Sequence, residues 1–339
     1  MLFQKALQVS SNEFQTNLEA LKLGVRHDCR GFEAPRKLEI IDSDKPGSVC
    51  VKLGNTMITA MSTAKIVVPN ENNPNKGFFS VCFQSSNPNI FPNTTTKTFQ
   101  TYFQYIWRSS NIFEESALCM KPGEKVWRIT TQIFIGDDDG GLLDASVIAC
   151  YISLSQLRFP SFDTSSGLLY RPSQRRTHKI AFIIKPVCVT VGFFKGKILV
   201  DPTLVELHSC DGFSLFVFDE WLQQIFLDSH MPQNIEDARN IAMEVAKTWA
   251  AITNDAVNSF KPHLFSVGNE SDFLGYEPHK TEIKVSKKAT KTNEFEIWKG
   301  DLKSEFVLDF FDEENESEPT ASESENNTKE NWLLSSLRS

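Results

Sequence analysis

The chain has 339 residues, enough for two domains or for one large domain with tails. With 40% hydrophobic and 23% charged residues it has the composition of an ordinary soluble globular protein, which excludes collagen, a coiled coil and wholesale disorder. The net charge of -8 argues against a nucleic-acid binder working by bulk positive charge. Residues 261–339 carry 10 Lys+Arg against 17 Asp+Glu, which leaves 25 against 26 for residues 1–260, so any RNA or other anion must be held by a local cluster.

Ser11 to Leu23 reads as a short amphipathic helix with Ser11 as N-cap, Phe14, Leu18 and Leu21 on one face and Gly24 as the stop. The segment from Arg36 to Pro69 reads as successive strands, alternating through Val49, Val51 and Leu53 and turning at Gly54-Asn55. Residues 70–76 and 85–98 are rich in Asn, Pro and Thr and are expected to be loops. Phe99, Phe103, Ile106 and Trp107 stand at helical spacing, with Arg108 near that helix's end, and Trp127 to Ile135 alternates as a strand. After the turn GDDDGG (136–141), the run Leu143 to Leu157 is apolar on most sides, as a helix packed deep against a sheet requires. The first domain is expected to close at residue 160, and a polar connector follows that includes Arg171, Arg175 and Arg176.

Four candidate strands follow between His178 and Asp228, and then a helix from Ile235 whose apolar positions recur every three or four residues through Val257. The expected second domain is 178–260. The tail, 261–339, is acidic and Ser-rich and cannot bury enough to fold, although Glu294 to Phe311 interleaves aromatics with charges as partner-docking segments do. Seven dispersed cysteines without a CxxC pair read as reduced thiols, and neither they nor the dispersed histidines have zinc spacing. No secretory signal is visible at the start, and the most apolar stretch, 180–200, is interrupted by Lys185, Pro186, Lys195 and Lys197, so no membrane association is expected.

Three clusters could carry chemistry. A calcium loop beginning at Asp137 would need oxygen ligands where the chain has Gly141 and Ile148, so GDDDGG reads as turn chemistry and no metal or other cofactor is expected. Asp201, Glu206, His208 and Asp211 crowd what reads as a strand and its turn, where paired carboxylates and an imidazole could share general acid and base duties. Basic residues Arg26, Arg30, Lys97, Arg108, Lys125 and Arg128 are scattered through the first domain, and convergence on one face is what phosphate neutralisation would need. No GxSxG, P-loop or GxGxxG motif is present.

Taken in order, VRHDCRGFEAPRKLEI, SVCVKLGNTMITA, the stretch from Ala117 to Pro160 and the stretch from Lys185 to Phe218 resemble the RNase PH family, and within it the ring subunits of the eukaryotic RNA exosome. The run Gly123 to Trp127, Asp144-Ala145 and Asp211-Gly212 are most similar to the polymyositis/scleroderma autoantigen type of ring subunit. The resemblance covers residues 10–260 and implies an α/β (α+β) RNase PH-like fold of two pseudo-duplicated mixed-sheet βαβ domains. Active members hold phosphate with Gly-Gly-Thr-Arg, where this chain has Gly140-Gly141-Leu142-Leu143. Their acidic motif corresponds to Val200 to Leu207, in which Asp201 and Glu206 survive while Thr203 and Leu207 replace aspartates. An upstream phosphate-binding arginine has its closest counterpart in the region of Thr94 to Thr96.

The resemblance therefore implies a subunit without catalytic residues in a hexameric ring that supports 3′–5′ RNA processing and decay. Its expected partners are other RNase PH-like ring subunits, one of them a close dimer partner, RNA-binding cap subunits, a catalytic nuclease and single-stranded RNA. The expected location is nucleus and nucleolus, and also cytoplasm. Arg108 and Lys97 are the expected RNA contacts. The competing expectations are an active phosphorolytic exoribonuclease using Asp201 and Glu206, and a composite site to which this chain lends basic residues.

Overall fold

The structure is a computed structural model that describes residues 10–43, 45, 47–86, 93–163, 168–170, 177–229, 234–260 and 263–264. The connector arginines 171, 175 and 176 and the expected docking segment 294–311 lie outside the described residues. Helix α1 (Ser11–Leu23) is capped by Ser10 rather than Ser11, its hydroxyl accepting the Glu13 amide at 3.2 Å. Gly24 ends the helix at φ +84°, a left-handed conformation that a side chain disfavours.

Strands β1 (Leu38–Asp42), β2 (Ser48–Leu53), β3 (Thr56–Val67), β4 (Phe78–Ser85) and β6 (Lys125–Asp137) form one sheet in the order β1-β2-β3-β6-β4. The short β5 (Cys119–Lys121) pairs with the start of β6. The pairings are antiparallel except β4 with β6, whose parallel register requires a crossover, supplied by α2 (Asn93–Ser109). Phe99, Phe103, Ile106 and Trp107 bury the inner face of α2 against β4, Phe103 stacking on Trp107 at 5.4 Å. The loop expected over 85–98 therefore ends at Asn93, and Thr94 to Thr98 belong to the first turns of the helix.

Helix α3 (Leu142–Gln156) packs against β2, β3 and β6 on one side and β9 on the other, which is why all of its residues but Ser155 are buried. Strands β9 (Val187–Phe194), β10 (Lys197–Val200), β11 (Gly212–Phe218) and β12 (Gln224–Ser229) form an antiparallel sheet in the order β10-β9-β11-β12, and every residue of β9 is buried. Only Thr177–His178 (β8) and β9 are strands in the region expected to be one long strand, because Pro186 lacks the amide needed to continue it. Helix α5 (Ile235–Ser259) lies against β9, β10 and β11, burying Ala238, Ala242, Val245, Trp249 and Ala256. The two halves share one hydrophobic core, and the Tyr102 hydroxyl on α2 donates to Asp228 on β12 across them.

Two further features depart from the sequence expectations. Leu204–Ser209, expected as part of a strand and its turn, is a helix, α4. Thr203 and Glu206 form a capping box, Thr203 accepting the Glu206 amide and Glu206 accepting the Thr203 amide, which starts a helix where the hydrophobic run alone suggests extension. In addition, His263–Leu264 (β13) pairs in parallel with β7 (Leu157–Pro160), extending ordered structure two residues into the expected tail.

Trp249 is 1% exposed in the shared core. Trp249→Ala is expected to cost about 3–5 kcal/mol, read as a lower urea midpoint with helical circular dichroism retained.

Candidate functional site

The turn between β6 and α3 meets the start of α4 and the segment leading into β1, bringing Asp201, Thr203, Glu206 and Leu207 beside Gly140, Gly141, Leu142 and Leu143. The turn requires its glycines. Gly140 and Gly141 have φ of +85° and +67°, and a Cβ on Gly140 would lie 2.6 Å from the Pro202 carbonyl oxygen. Asp138 accepts the Gly140 amide at 3.0 Å, and the Thr56 hydroxyl accepts the Asp139 amide while donating to the Gly140 carbonyl at 2.6 Å. These bonds account for the aspartates as turn chemistry. Among the described residues no group of three or more His, Cys, Asp or Glu side chains is placed to hold a metal ion.

Both surviving carboxylates are committed to arginines. Arg36 donates to Asp201 through its backbone amide at 2.7 Å, Nε at 2.9 Å and Nη2 at 2.6 Å, and its remaining donors reach the Asp139 and Gly140 carbonyls. Arg26, with no solvent exposure of its side chain, forks onto Glu206 at 2.9 and 2.6 Å and donates to the Val200 and Asp201 carbonyls. Glu206 also accepts the Thr203 amide at 2.8 Å. Arg30 adds a longer contact of 3.5 Å to Asp201. Each carboxylate is thus buried, paired with a guanidinium and bonded to further donors.

Little space is left beside the β6–α3 turn. Leu142, Leu143, Leu204, Leu207, Phe213 and Leu215 surround a cavity of about 20 Å3, room for roughly one water. Leu142 and Leu143 are 3% and 1% exposed. Below them Asp144, fully buried at the start of α3, accepts the Thr190 amide and hydroxyl, both at 3.0 Å. Burial pushes its pKa up to about 6, outweighing the hydrogen bonds that favour the charged form.

His208, expected on a strand, lies on α4 with Nδ1 2.8 Å from the Leu204 carbonyl oxygen, a contact within its own helix. Asp211 accepts the Lys195 amide at the β9–β10 turn. Neither is joined to Asp201 or Glu206 in a proton relay. Lys97 and Arg108 lie apart from this cluster, exposed on α2. Eleven residues separate them, three helical turns and about 17 Å, so both are on one face of the helix. Thr101 and Tyr105 stand exposed between them. Arg108 also lines an open cleft of about 450 Å3 whose floor includes Phe79, Trp107 and Phe113. Thr96, near the expected counterpart of the upstream phosphate-binding arginine, is buried in α2.

Sequence reasoning missed Arg36, the donor that holds Asp201, and Lys76, which shares the cleft with Arg108. Arg36 lay within a stretch carrying the family resemblance, yet only a partner 165 residues away gives it a role. Lys76 sits in an Asn- and Pro-rich loop and offers no pattern.

The paired design has separable consequences. Arg26→Ala strands a buried carboxylate and is expected to cost about 3–5 kcal/mol, whereas Arg26→Met with Glu206→Leu should recover most of the loss; chemical denaturation of the single and double variants measures it. Asp144 ionises with a folded pKa above its unfolded value of 3.8. Its contribution to stability is therefore fully present below that unfolded value and is lost as pH rises through about 6. Denaturation of the wild type and Asp144→Asn between pH 4 and 7.5 should differ by a pH-dependent amount approaching about 3 kcal/mol.

The 3′ exoribonuclease family matches this chain twice, with its domain 1 over residues 35–160 and its domain 2 over residues 185–225. The exosome complex component RRP45A of Arabidopsis thaliana is 32% identical over 213 residues, covering 59% of this chain and 69% of that protein. RRP45 of Saccharomyces cerevisiae is 28% identical over 203 residues, covering 57% and 66%. Rrp42 of Aeropyrum pernix is 26% identical over 255 residues, covering 71% and 92%. Among solved structures, an archaeal exosome core superposes with a TM-score of 0.59 at 22% identity, covering 72% of this chain and 96% of that one. The Archaeoglobus fulgidus exosome with RNA bound to the active site gives 0.59 at 23% identity, covering 71% and 97%. With both family domains in order on an RNase PH-like fold, the chain belongs to the RNase PH-type 3′ exoribonuclease family.

Proposed function

We propose that this protein is a ring subunit of an RNA exosome that performs no phosphorolysis itself and contributes to 3′–5′ RNA processing and decay by completing the ring and guiding RNA. The names of its relatives support the ring role, since the plant, yeast and archaeal proteins it resembles are exosome components. The observation that carries the loss of catalysis is the sealed site. Phosphorolysis needs inorganic phosphate held for attack and an acid free to protonate the leaving ribose oxygen. Here leucines occupy the phosphate position and leave about 20 Å3, while Asp201 and Glu206 are held by Arg36 and Arg26. Thr203 is spent capping α4 and Leu207 lines the apolar cavity.

Lys97 and Arg108 are the RNA contacts in this reading. Their shared face on α2, with the exposed ring of Tyr105 between them, combines phosphate-neutralising charge with a stacking surface, the two elements that single-strand binding uses without sequence preference. RNA-binding cap subunits, a catalytic nuclease and a nuclear, nucleolar and cytoplasmic distribution belong to the same proposal. So does docking of a partner by Glu294 to Phe311.

The experiment that tests the ring role is affinity purification of the tagged full chain from its own cells. Stoichiometric recovery of RNase PH-fold subunits is expected, and recovery as a free monomer would overturn it. The purified chain, and equally Leu142→Thr with Leu143→Arg, should release no nucleoside diphosphates from RNA and phosphate. In the assembled complex Lys97→Ala with Arg108→Ala should weaken RNA binding about tenfold at low salt and flatten its salt dependence by about one unit or more. If RNA affinity is unchanged but decay slows, Arg108 instead serves a neighbour's active site.

A further inference from the structure

The open cleft that Arg108 lines is built from three pieces of chain: the C-terminal end of α2, the segment 111–116 that follows it, and the loop carrying Lys76. The Gly77 amide donates to the Glu115 carbonyl at 3.0 Å and the Lys76 amide to the Asn73 carbonyl at 3.2 Å, which ties the loop to the opposite wall. The Ala117 amide, bonded to the Glu114 carbonyl at 3.0 Å, fixes that wall in turn. The cleft is therefore held open by its own backbone, and at about 450 Å3 it has the size of a small-molecule pocket.

Its rim carries two cations, Lys76 and Arg108, and two carboxylates, Glu114 and Glu115. Among the described residues none of the four is in an ion pair. The aromatic floor is packed on itself: Trp107 stacks with Phe79 and with Phe103, both at 5.4 Å, and Phe79 meets Phe113 edge-on at 5.3 Å. It supplies apolar contact rather than a free platform for stacking. Trp107 is 3% exposed, and its indole N–H, which can only donate, has no acceptor among the described residues.

These groups select a ligand by charge. A bare phosphate is opposed by the two carboxylates, and a polyamine by Lys76 and Arg108. An amino acid answers both signs but leaves most of the volume empty. A nucleoside phosphate fills it, with the phosphate on Lys76 and Arg108 and the edge of the base on Glu115, the half-buried carboxylate. A carboxylate only accepts, which decides the base. Guanine presents two N–H donors side by side, N1–H and the N2 amino group, and a carboxylate takes them as a bidentate pair. Adenine, cytosine and uracil each set an acceptor next to a donor on the same edge. The guanine O6 also brings an acceptor, the partner that Trp107 lacks. We infer that this cleft binds a free guanine nucleotide, with Lys76 and Arg108 on its phosphate and Glu115 on its base.

The test is isothermal titration of the purified full chain with GMP, AMP, CMP and UMP. GMP should bind at least about tenfold more tightly than the other three, the discrimination that one bidentate base contact supplies. Glu115→Gln should abolish that preference and lower GMP affinity about tenfold, with the melting temperature unchanged. Lys76→Ala, on an exposed loop, should weaken GMP several-fold and leave guanosine unaffected, and it reads the same site where Glu115→Gln fails to fold. Glu124→Gln, exposed and paired with Lys121 on the β5–β6 turn, should change nothing. Absence of GMP binding at millimolar concentration overturns the inference. Equal affinity for all four nucleotides, or a preference for GMP that survives Glu115→Gln, overturns it as well. If GMP fails to bind while a short guanine-containing RNA binds in a Lys76-dependent way, the cleft belongs to RNA and the inference is overturned.

Discussion

Two buried arginine–carboxylate pairs hold this fold in register. Arg26 with Glu206 and Arg36 with Asp201 join the segment before β1 to the β10–α4 corner, and Arg36 reaches the β6–α3 turn as well. Three segments far apart in sequence thereby meet at one point. A buried ion pair adds little net stability over a hydrophobic contact of the same size, since desolvation offsets most of the attraction. Its effect is on uniqueness: any packing that separates the partners leaves a bare charge in the core, so competing arrangements are disfavoured by several kcal/mol.

The same pairs connect architecture to function. In the proposed reading a phosphate site would have to stay open, whereas Leu142, Leu143 and Leu207 leave about 20 Å3 beside the turn. Asp201 and Glu206 serve the fold there as tethers for Arg36 and Arg26. What remains outward-facing is a helix bearing Lys97, Tyr105 and Arg108, suited to holding other molecules.

Much of this was legible in the sequence. The β2–β3 turn at Gly54, the alternation of β6, the apolar α3 and the period of α5 each encode their structure locally, so pattern and outcome agree. Leu142, Leu143, Thr203 and Leu207 could be singled out in the sequence because they fall within motifs of fixed spacing, and the structure places them beside one turn. The capping box at Thr203 and Glu206 was present in the sequence and prevails over the hydrophobic run around it, which by itself reads as a strand, so a local hydrogen-bond signal outweighs hydrophobic pattern here. The partners of Arg26 and Arg36 were not legible at all. They lie 180 and 165 residues away, and only the pairing of sheets brings them close.

That separation has a consequence for how the chain is made. Arg26 and Arg36 leave the ribosome well before Asp201 and Glu206 exist, and at ordinary synthesis rates the interval is roughly 10 to 30 s. Through that time the first sheet and α3 can form, but the strand β9 that buries the other side of α3 is also still missing. The nascent N-terminal half therefore waits with an apolar helix uncovered and two guanidinium groups still in water. Its completion is a late, long-range event of the kind that slows folding and calls on chaperones.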